Sequence, residues 1–304
     1  MDNTYLSLNK GTRLSYEKKK NIKGWFFIII PVAFIIWFYF YPMISAFLLS
    51  LQSGVGRNMS YVGFENYERL FSDKAFMTSV KNTFIYLMVQ VPIMIVLALF
   101  ISVVLNSRYL RGRSFFRTAI FLPCITSLVA YSIVFKNLFG VDGLINTFLI
   151  NAHIVSEPIG WITNAFWAKI TIIIAITWRW TGYNMIFYLS ALQNVDPSLY
   201  ESAKIDGASA FKQFTKITIP MLKPIILFTS ITSTIGTLQL FDEVMNITNG
   251  GPANATLSIS QYIYFLSFRY TPDFGYAATV SYVVLILIVV ISFTQFKTAG
   301  DRND

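Results

Sequence analysis

Six long apolar runs divide the chain, at about residues 25–51, 79–105, 117–138, 165–192, 223–243 and 276–296. A helix needs roughly 20 mostly apolar residues to cross a bilayer, and each run meets or approaches that length. Lipid offers no hydrogen bonds to an exposed backbone, so a spanning run of this kind predicts a helix. The first and last runs are the clearest, with Phe26-Phe-Ile-Ile-Ile30 and Val283-Val-Leu-Ile-Leu-Ile-Val-Val-Ile291. Charged residues make up 13% of the chain, against about 25% in a soluble domain. Such a chain cannot cover a water-facing surface. The expected fold class is an all-α polytopic membrane protein with six transmembrane helices. Pro31, Pro42, Pro92 and Pro123 fall inside or near the runs. In a soluble helix interior each would cost about 3 kcal/mol, but in a membrane bundle neighbouring helices re-satisfy the freed carbonyl.

Lys and Arg set the expected orientation. The N-terminal segment carries Lys10, Arg13, Lys18, Lys19, Lys20 and Lys23; the 106–117 segment carries Arg108, Arg111, Arg113 and Arg117; the 193–223 segment carries Lys204, Lys212, Lys216 and Lys223. Six spans bring all three to one side, together with the C-terminal tail. The opposite loops hold only Arg57, Arg69, Lys74 and Arg269. The expectation is N-in, C-in, with the 193–223 loop in the cytoplasm. The same distribution turns the net charge of +9 away from nucleic acid and towards membrane topology and lipid. Cys124 is the single cysteine and His153 the single histidine, so no intramolecular disulfide and no His-based metal cluster are expected. No cleavable signal peptide is expected either, because the first apolar run follows a basic segment and is too long for a signal core.

Between the outer ends of the spans, Tyr61-Val-Gly-Phe-Glu-Asn-Tyr67 predicts a short interfacial helix. Leu144 to Ile150 is apolar but too short to span, which predicts a re-entrant or surface helix. Asn249-Gly-Gly-Pro252 is a turn signal.

The cytoplasmic segment 193–223 is polar and helix-prone. Asp196 before Pro197 is an N-cap with a first-turn proline, and Ser198 with Glu201 offers a competing capping box. Gly207 after Asp206 ends that helix, since glycine takes the left-handed conformation without strain. A second short helix is expected over about 208–217, ending before Pro220. The pair forms a knob whose Leu199, Ala203, Ile205, Ala208 and Phe211 can enter a partner's groove; a plain amphipathic loop helix has the same pattern.

Glu201-Ser-Ala203, Asp206-Gly207-Ala208 and Ile217-Thr-Ile-Pro220 resemble the "EAA" loop of binding-protein-dependent ABC importer permeases, with Ser202 where Ala is usual. Phe38-Tyr-Phe-Tyr-Pro42, Gly63-Phe-Glu-Asn-Tyr67, Arg117-Thr-Ala-Ile-Phe-Leu-Pro123, Trp178-Arg-Trp-Thr-Gly-Tyr-Asn184, Ala191-Leu-Gln193 and Asn249-Gly-Gly-Pro252 are similar to segments of the carbohydrate class, which includes maltose and oligosaccharide permeases. The resemblance implies a sugar-translocating permease in a prokaryotic cell membrane. It implies residues 1–24 as a cytoplasmic basic segment, 25–296 as the permease domain with a coupling loop at about 194–223, and 297–304 as a cytoplasmic tail. It further implies a second, homologous permease, two ATPase subunits that use ATP and Mg, and an extracellular substrate-binding protein. Glu201, Ser202, Ala203, Asp206, Gly207 and Ala208 would contact the ATPase. The chain has no Gly-x-x-x-x-Gly-Lys-Ser/Thr phosphate loop, so a non-catalytic channel subunit without a cofactor of its own is expected.

Polar residues within spans face the bundle interior. Trp180, Tyr183, Asn184, Ser233, Thr237 and Gln239 are the candidates for a sugar pathway, where aromatic faces, amides and hydroxyls hold a neutral polyol. Hydroxyls in spans also join helices, typically for roughly 0.6 kcal/mol per contact. Arg179 in the fourth run needs a partner, and Asp242 or Glu243 can supply it as a register-fixing ion pair. A gate or a substrate contact is the other role open to Arg179. An ion- or proton-coupled secondary transporter is the alternative function; it would need an intramembrane carboxylate relay, and only Asp242 and Glu243 are near a span. The lack of a His cluster and of paired carboxylates makes a membrane enzyme remote.

Overall fold

The computed structural model describes residues 21, 23–55, 58–107 and 109–300. Lys10, Arg13, Lys18, Lys19, Lys20, Arg57, Arg108 and most of the two terminal segments lie outside the described residues. The described part is mostly helical. In chain order it contains α1 (Lys23–Ser50), a hairpin of β1 (Gln52–Val55) and β2 (Asn58–Tyr61), α2 (Glu65–Ser72), α3 (Lys74–Asn106), α4 (Arg113–Ile125), α5 (Leu128–Leu138) and α6 (Leu144–Asn151). These are followed by α7 (Ala165–Leu192), α8 (Pro197–Ile205), α9 (Ala210–Leu238), α10 (Ile259–Tyr264) and α11 (Phe274–Gly300).

By length and composition four helices among the described residues can cross a membrane, namely α1, α3, α9 and α11 up to Thr298, and five if α4 and α5 are taken as one broken span. The predicted third span, 117–138, is not one straight helix. Thr126 and Ser127 are extended (ψ 151° and 132°), and α4 and α5 meet at 100°. The Thr126 hydroxyl caps the carbonyl of Pro123 at 2.7 Å. The α7 helix is 28 residues long, and its central Trp178–Asn184 stretch dilutes its hydropathy below that of the other four.

Side-chain caps start several of these helices. Asp73 accepts from the N–H groups of Ala75 and Phe76, which begins α3 five residues before the apolar run that predicted it. Asn164 does the same for α7 through Phe166 and Trp167. Asp73 also accepts from the hydroxyls of Tyr262 and Tyr276. Burial raises its carboxyl pKa, but these hydroxyls and the backbone N–H groups outweigh that and hold it below the usual carboxylate range. Two prolines inside helices, one in α1 and one in α9, sit just past π-helical turns: Ile36–Phe40 precedes Pro42, and Phe214–Thr218 precedes Pro220. A proline ring crowds the carbonyl four residues back, and a wider turn moves that carbonyl aside. The second helix of the 193–223 segment therefore does not stop before Pro220, as the sequence predicts. It runs on into α9.

The core is built on the α3–α7 pair. Ala98, Met185, Tyr188 and Leu222 are fully buried towards one end of it, where α9 packs on, and Tyr86, Ile172, Ala175 and Val244 towards the other. Gly182 lets α7 approach α4 closely; a Cβ there would lie 2.1 Å from the Ile120 carbonyl oxygen. The segment after α9 folds back into the body. Asn82 donates to the carbonyls of Asn254 and Leu257 at 3.0 Å each, and Tyr86 donates to Thr256 O at 3.0 Å. The turn expected at 249–252 opens this segment, with Asn249 and Gly250 both at positive φ. The hairpin β1–β2, paired antiparallel from Gln52↔Tyr61 to Val55↔Asn58, stands where the sequence indicated only a loop.

Candidate functional site

A cleft of about 180 Å3 opens between α3, α7 and α9, lined by Gln90, Trp180, Tyr183, Thr232, Ser233, Gly236 and Thr237. Four of the six sequence-predicted pathway residues line it: Trp180, Tyr183, Ser233 and Thr237. The helical repeat explains the convergence. Ser233 and Thr237 lie one turn apart on α9, as Trp180 and Tyr183 do on α7. The Trp180 and Tyr183 rings meet edge to face at 5.5 Å, and Tyr183 meets Phe187 at 5.0 Å. The aromatic wall is thus stiffened from behind. At Gly236 a Cβ would meet nothing within 4 Å, so the glycine leaves the α9 wall open.

Asn184 and Gln239 are elsewhere. Asn184 is fully buried behind the cleft, where it donates to the Trp180 carbonyl at 2.9 Å, to Ser233 Oγ at 3.5 Å and to Met94 Sδ at 3.3 Å. Gln239 caps the end of α9, is exposed, and does not line the cleft. Gln90 was missed by sequence reasoning. It is 1% exposed and sits mid-span on α3. Its Oε1 accepts from Thr237 at 3.1 Å, while its Nε2 donates to Met94 Sδ at 3.2 Å. An amide inside an apolar run is the same signal that singled out the polar residues of α7.

Arg179 faces the other way. Its Nη1 lies 3.5 Å from Glu243 Oε1, and both side chains are nearly buried. The guanidinium carbon is 5.5 Å from the Tyr131 ring centroid and 5.4 Å from that of Trp180. Asp242, the other partner considered, is half-buried and makes no ion pair among the described residues. The pair ties α7 to the helical turn beyond α9 and to α5.

At the opposite end of α9 stands the polar knob. Asp196 caps α8 by accepting from Ser198 N at 2.9 Å, and that bond holds its carboxyl below the usual range. The competing cap on Ser198 is not formed. Gly207 has φ +76° and ends the helix in the left-handed conformation. Glu201, Ser202 and Asp206 are exposed, and Ala203 and Ala208 are half-buried. Leu199, Ile205 and Phe211 show 42%, 86% and 76% of their surfaces. Three large apolar side chains thus stand uncovered on an otherwise polar knob.

The profile of the family described as "Binding-protein-dependent transport system inner membrane component" matches residues 71–299. The chain belongs to this family. As a member it is similar to the lactose transport system permease protein LacF of Rhizobium radiobacter, with 55% identity over 294 residues that span 96% of this chain and 99% of the relative. It is similar to the arabinooligosaccharides transport system permease protein AraP of Bacillus subtilis (strain 168), at 34% over 95% of this chain and 92% of that one. It also matches the trehalose/maltose transport system permease protein MalF of Thermococcus litoralis, at 30% over 97% and 99%. The crystal structure of a bacterial ABC transporter involved in the import of the acidic polysaccharide alginate contains a chain of the same fold, with TM-score 0.83, 22% identity, and coverage of 96% of this chain and 100% of that one.

Proposed function

We propose that this permease is the membrane-spanning subunit of an ABC importer that carries a neutral di- or oligosaccharide into a prokaryotic cell. The cleft between α3, α7 and α9 carries the reading. It joins an aromatic wall to a strip of hydroxyl and amide groups, and none of its lining residues is charged. That chemistry suits a neutral polyol better than an acidic sugar. The relatives named for lactose, arabinooligosaccharides and trehalose/maltose support the class. At about 180 Å3 the cleft is smaller than the roughly 300–1,000 Å3 of a complete small-molecule site. A facing half from a second permease would complete it. The apolar window of α1 has no buried residue, which supports a second permease or lipid as its cover.

Two ATPase subunits, hydrolysing ATP with Mg, would dock at Glu201, Ser202, Ala203, Asp206, Gly207 and Ala208. An extracellular binding protein would deliver the sugar to the other side; one related solved transporter is in complex with an alginate pentasaccharide-bound periplasmic protein. In this reading α4 and α5 together count as one span and α7 as another, giving six spans with both termini inside. Cysteines introduced at Ser209 and at Asn254 in a Cys124→Ala background should then react with impermeant reagent from opposite sides. Labelling of both from one side would break the six-span arrangement.

The functional reading is tested at Tyr183. Tyr183→Ala should lower sugar uptake per intact complex by a few-fold, on the order of the 0.5–1.5 kcal/mol of one hydrogen bond, and leave assembly and melting temperature near those of the parent. Asn184→Ala, behind the wall, should instead lower the melting temperature. Normal uptake per complex in Tyr183→Ala would move the pathway away from this cleft.

A further inference from the structure

We propose that the polar pocket at the α4 N-terminus holds the phosphate headgroup of an anionic phospholipid whose acyl chains lie along the apolar groove between α3, α4 and α7. The pocket has a volume of about 560 Å3, and its lining includes Arg113, Arg117 and Lys204 against one carboxylate, Glu201. It sits where α3 ends at Asn106 and α7 ends at Leu192, and in the proposed six-span bundle such helix ends meet the headgroup layer. Arg117 donates to the Leu105 carbonyl at 3.3 Å, but its buried Nε has no partner. The first turn of α4 has no acidic residue, and Gly112 at its N-cap supplies no side-chain acceptor. Its free N–H groups and the helix dipole add to the attraction for a phosphate.

The groove decides between a lipid and a free anion. A cavity of about 580 Å3 lined by Ile93, Leu97, Ile120 and Trp178, among others, lies on the same three helices. Arg113, Arg117 and Ile120 fall on one face of α4, at i, i+4 and i+7. At 1.5 Å per residue, Ile120 is about 10 Å along the axis from Arg113. A cationic end and an apolar trough in that order match an anionic amphiphile. A free phosphate would leave the trough empty, and a zwitterionic headgroup would bring its own cation against the arginines. Basic pockets between spanning helices hold anionic headgroups on this principle.

The test uses the chain purified with its partners, delipidated, and titrated with phosphatidylglycerol, phosphatidylcholine or inorganic phosphate. Lipid retention is read by native mass spectrometry and protection by melting temperature. Phosphatidylglycerol should be retained and should protect, and R113Q/R117Q should raise the lipid concentration needed by about tenfold or more, two cations being lost. Arg113 is exposed and makes no hydrogen bond among those described, so R113Q alone should show a smaller rise in a chain whose folding is not at stake. K136Q, at the end of α5, should change nothing. Equal retention of phosphatidylcholine, equal protection by inorganic phosphate, or unchanged phosphatidylglycerol binding in both Arg variants would overturn the proposal. So would loss of ATPase co-purification in R113Q/R117Q with lipid retention intact, since the pocket would then be a protein-docking surface.

Discussion

Arg179→Ala should destabilise the chain by about 3–5 kcal/mol, the loss expected when one partner of a buried ion pair is removed. The size comes from what remains. Glu243 is 4% exposed, and without the guanidinium its buried carboxylate has no countercharge. Glu243→Ala should cost a comparable amount for the mirror reason, leaving a guanidinium between the Tyr131 and Trp180 rings. Arg179→Met with Glu243→Leu should recover most of the loss, because two apolar side chains remove both desolvation costs at once. Thermal unfolding of the parent, Arg179→Met, Glu243→Leu and their double variant closes a double-mutant cycle. Additive single effects, each below about 1 kcal/mol, would mean that water reaches the pair and that it does not fix the register of α7 against the segment beyond α9. The recovered double variant also addresses function. If it transports normally, the charges serve the fold; if it folds but does not transport, Arg179 has the gate or substrate role.

Residues whose meaning depends on period and caps were legible in the sequence. The apolar runs of α1, α3, α9 and α11 and the Asp196–Pro197 start and Gly207 stop of α8 needed no tertiary information. Four cleft residues were legible for a related reason: a polar side chain in a span must face inwards, so Trp180, Tyr183, Ser233 and Thr237 had few places to go. Direction within the interior was not legible. Asn184 follows Tyr183 by one residue, which on a helix is about 100° of rotation, and that turn carries it from the cleft into the α3–α7 contact. Gln90 was hidden by its neighbours, since a single amide barely lowers the hydropathy of α3. The 100° bend at Thr126–Ser127 also left no period to read, because α4 and α5 are both apolar and the break needs only two extended residues. The hairpin β1–β2 is only four residues on each side, too short for alternation to register. The tuck of 249–258 into the body depends on Asn82 and Tyr86, more than 160 positions away in the chain, a pairing no local signal announces.

Gly207→Val should separate the fold of this chain from the proposed coupling to an ATPase. Gly207 has φ +76°, and a Cβ there would meet nothing within 4 Å. The cost is therefore conformational, not steric: about 1–2 kcal/mol for an L-residue in the left-handed region, with a β-branched side chain at the unfavourable end. An isolated knob can avoid that cost by relaxing, because α8 has no buried residue to hold it. A docked knob cannot, because a partner's groove would require Leu199, Ile205 and Phe211 in one arrangement. The penalty then falls on docking. About 1.4 kcal/mol corresponds to a tenfold weaker association, so ATPase recovered with the permease should fall by roughly that factor, and sugar-stimulated hydrolysis with it. The melting temperature of the permease alone should hardly move. Gly207→Asn is the matched control, since Asn tolerates the left-handed region several-fold better than most residues, and it should keep most of the ATPase. Undiminished co-purification and uptake in Gly207→Val would remove the 197–217 knob from the coupling path. A matching fall in the stability of the isolated permease would show instead that the turn serves the fold.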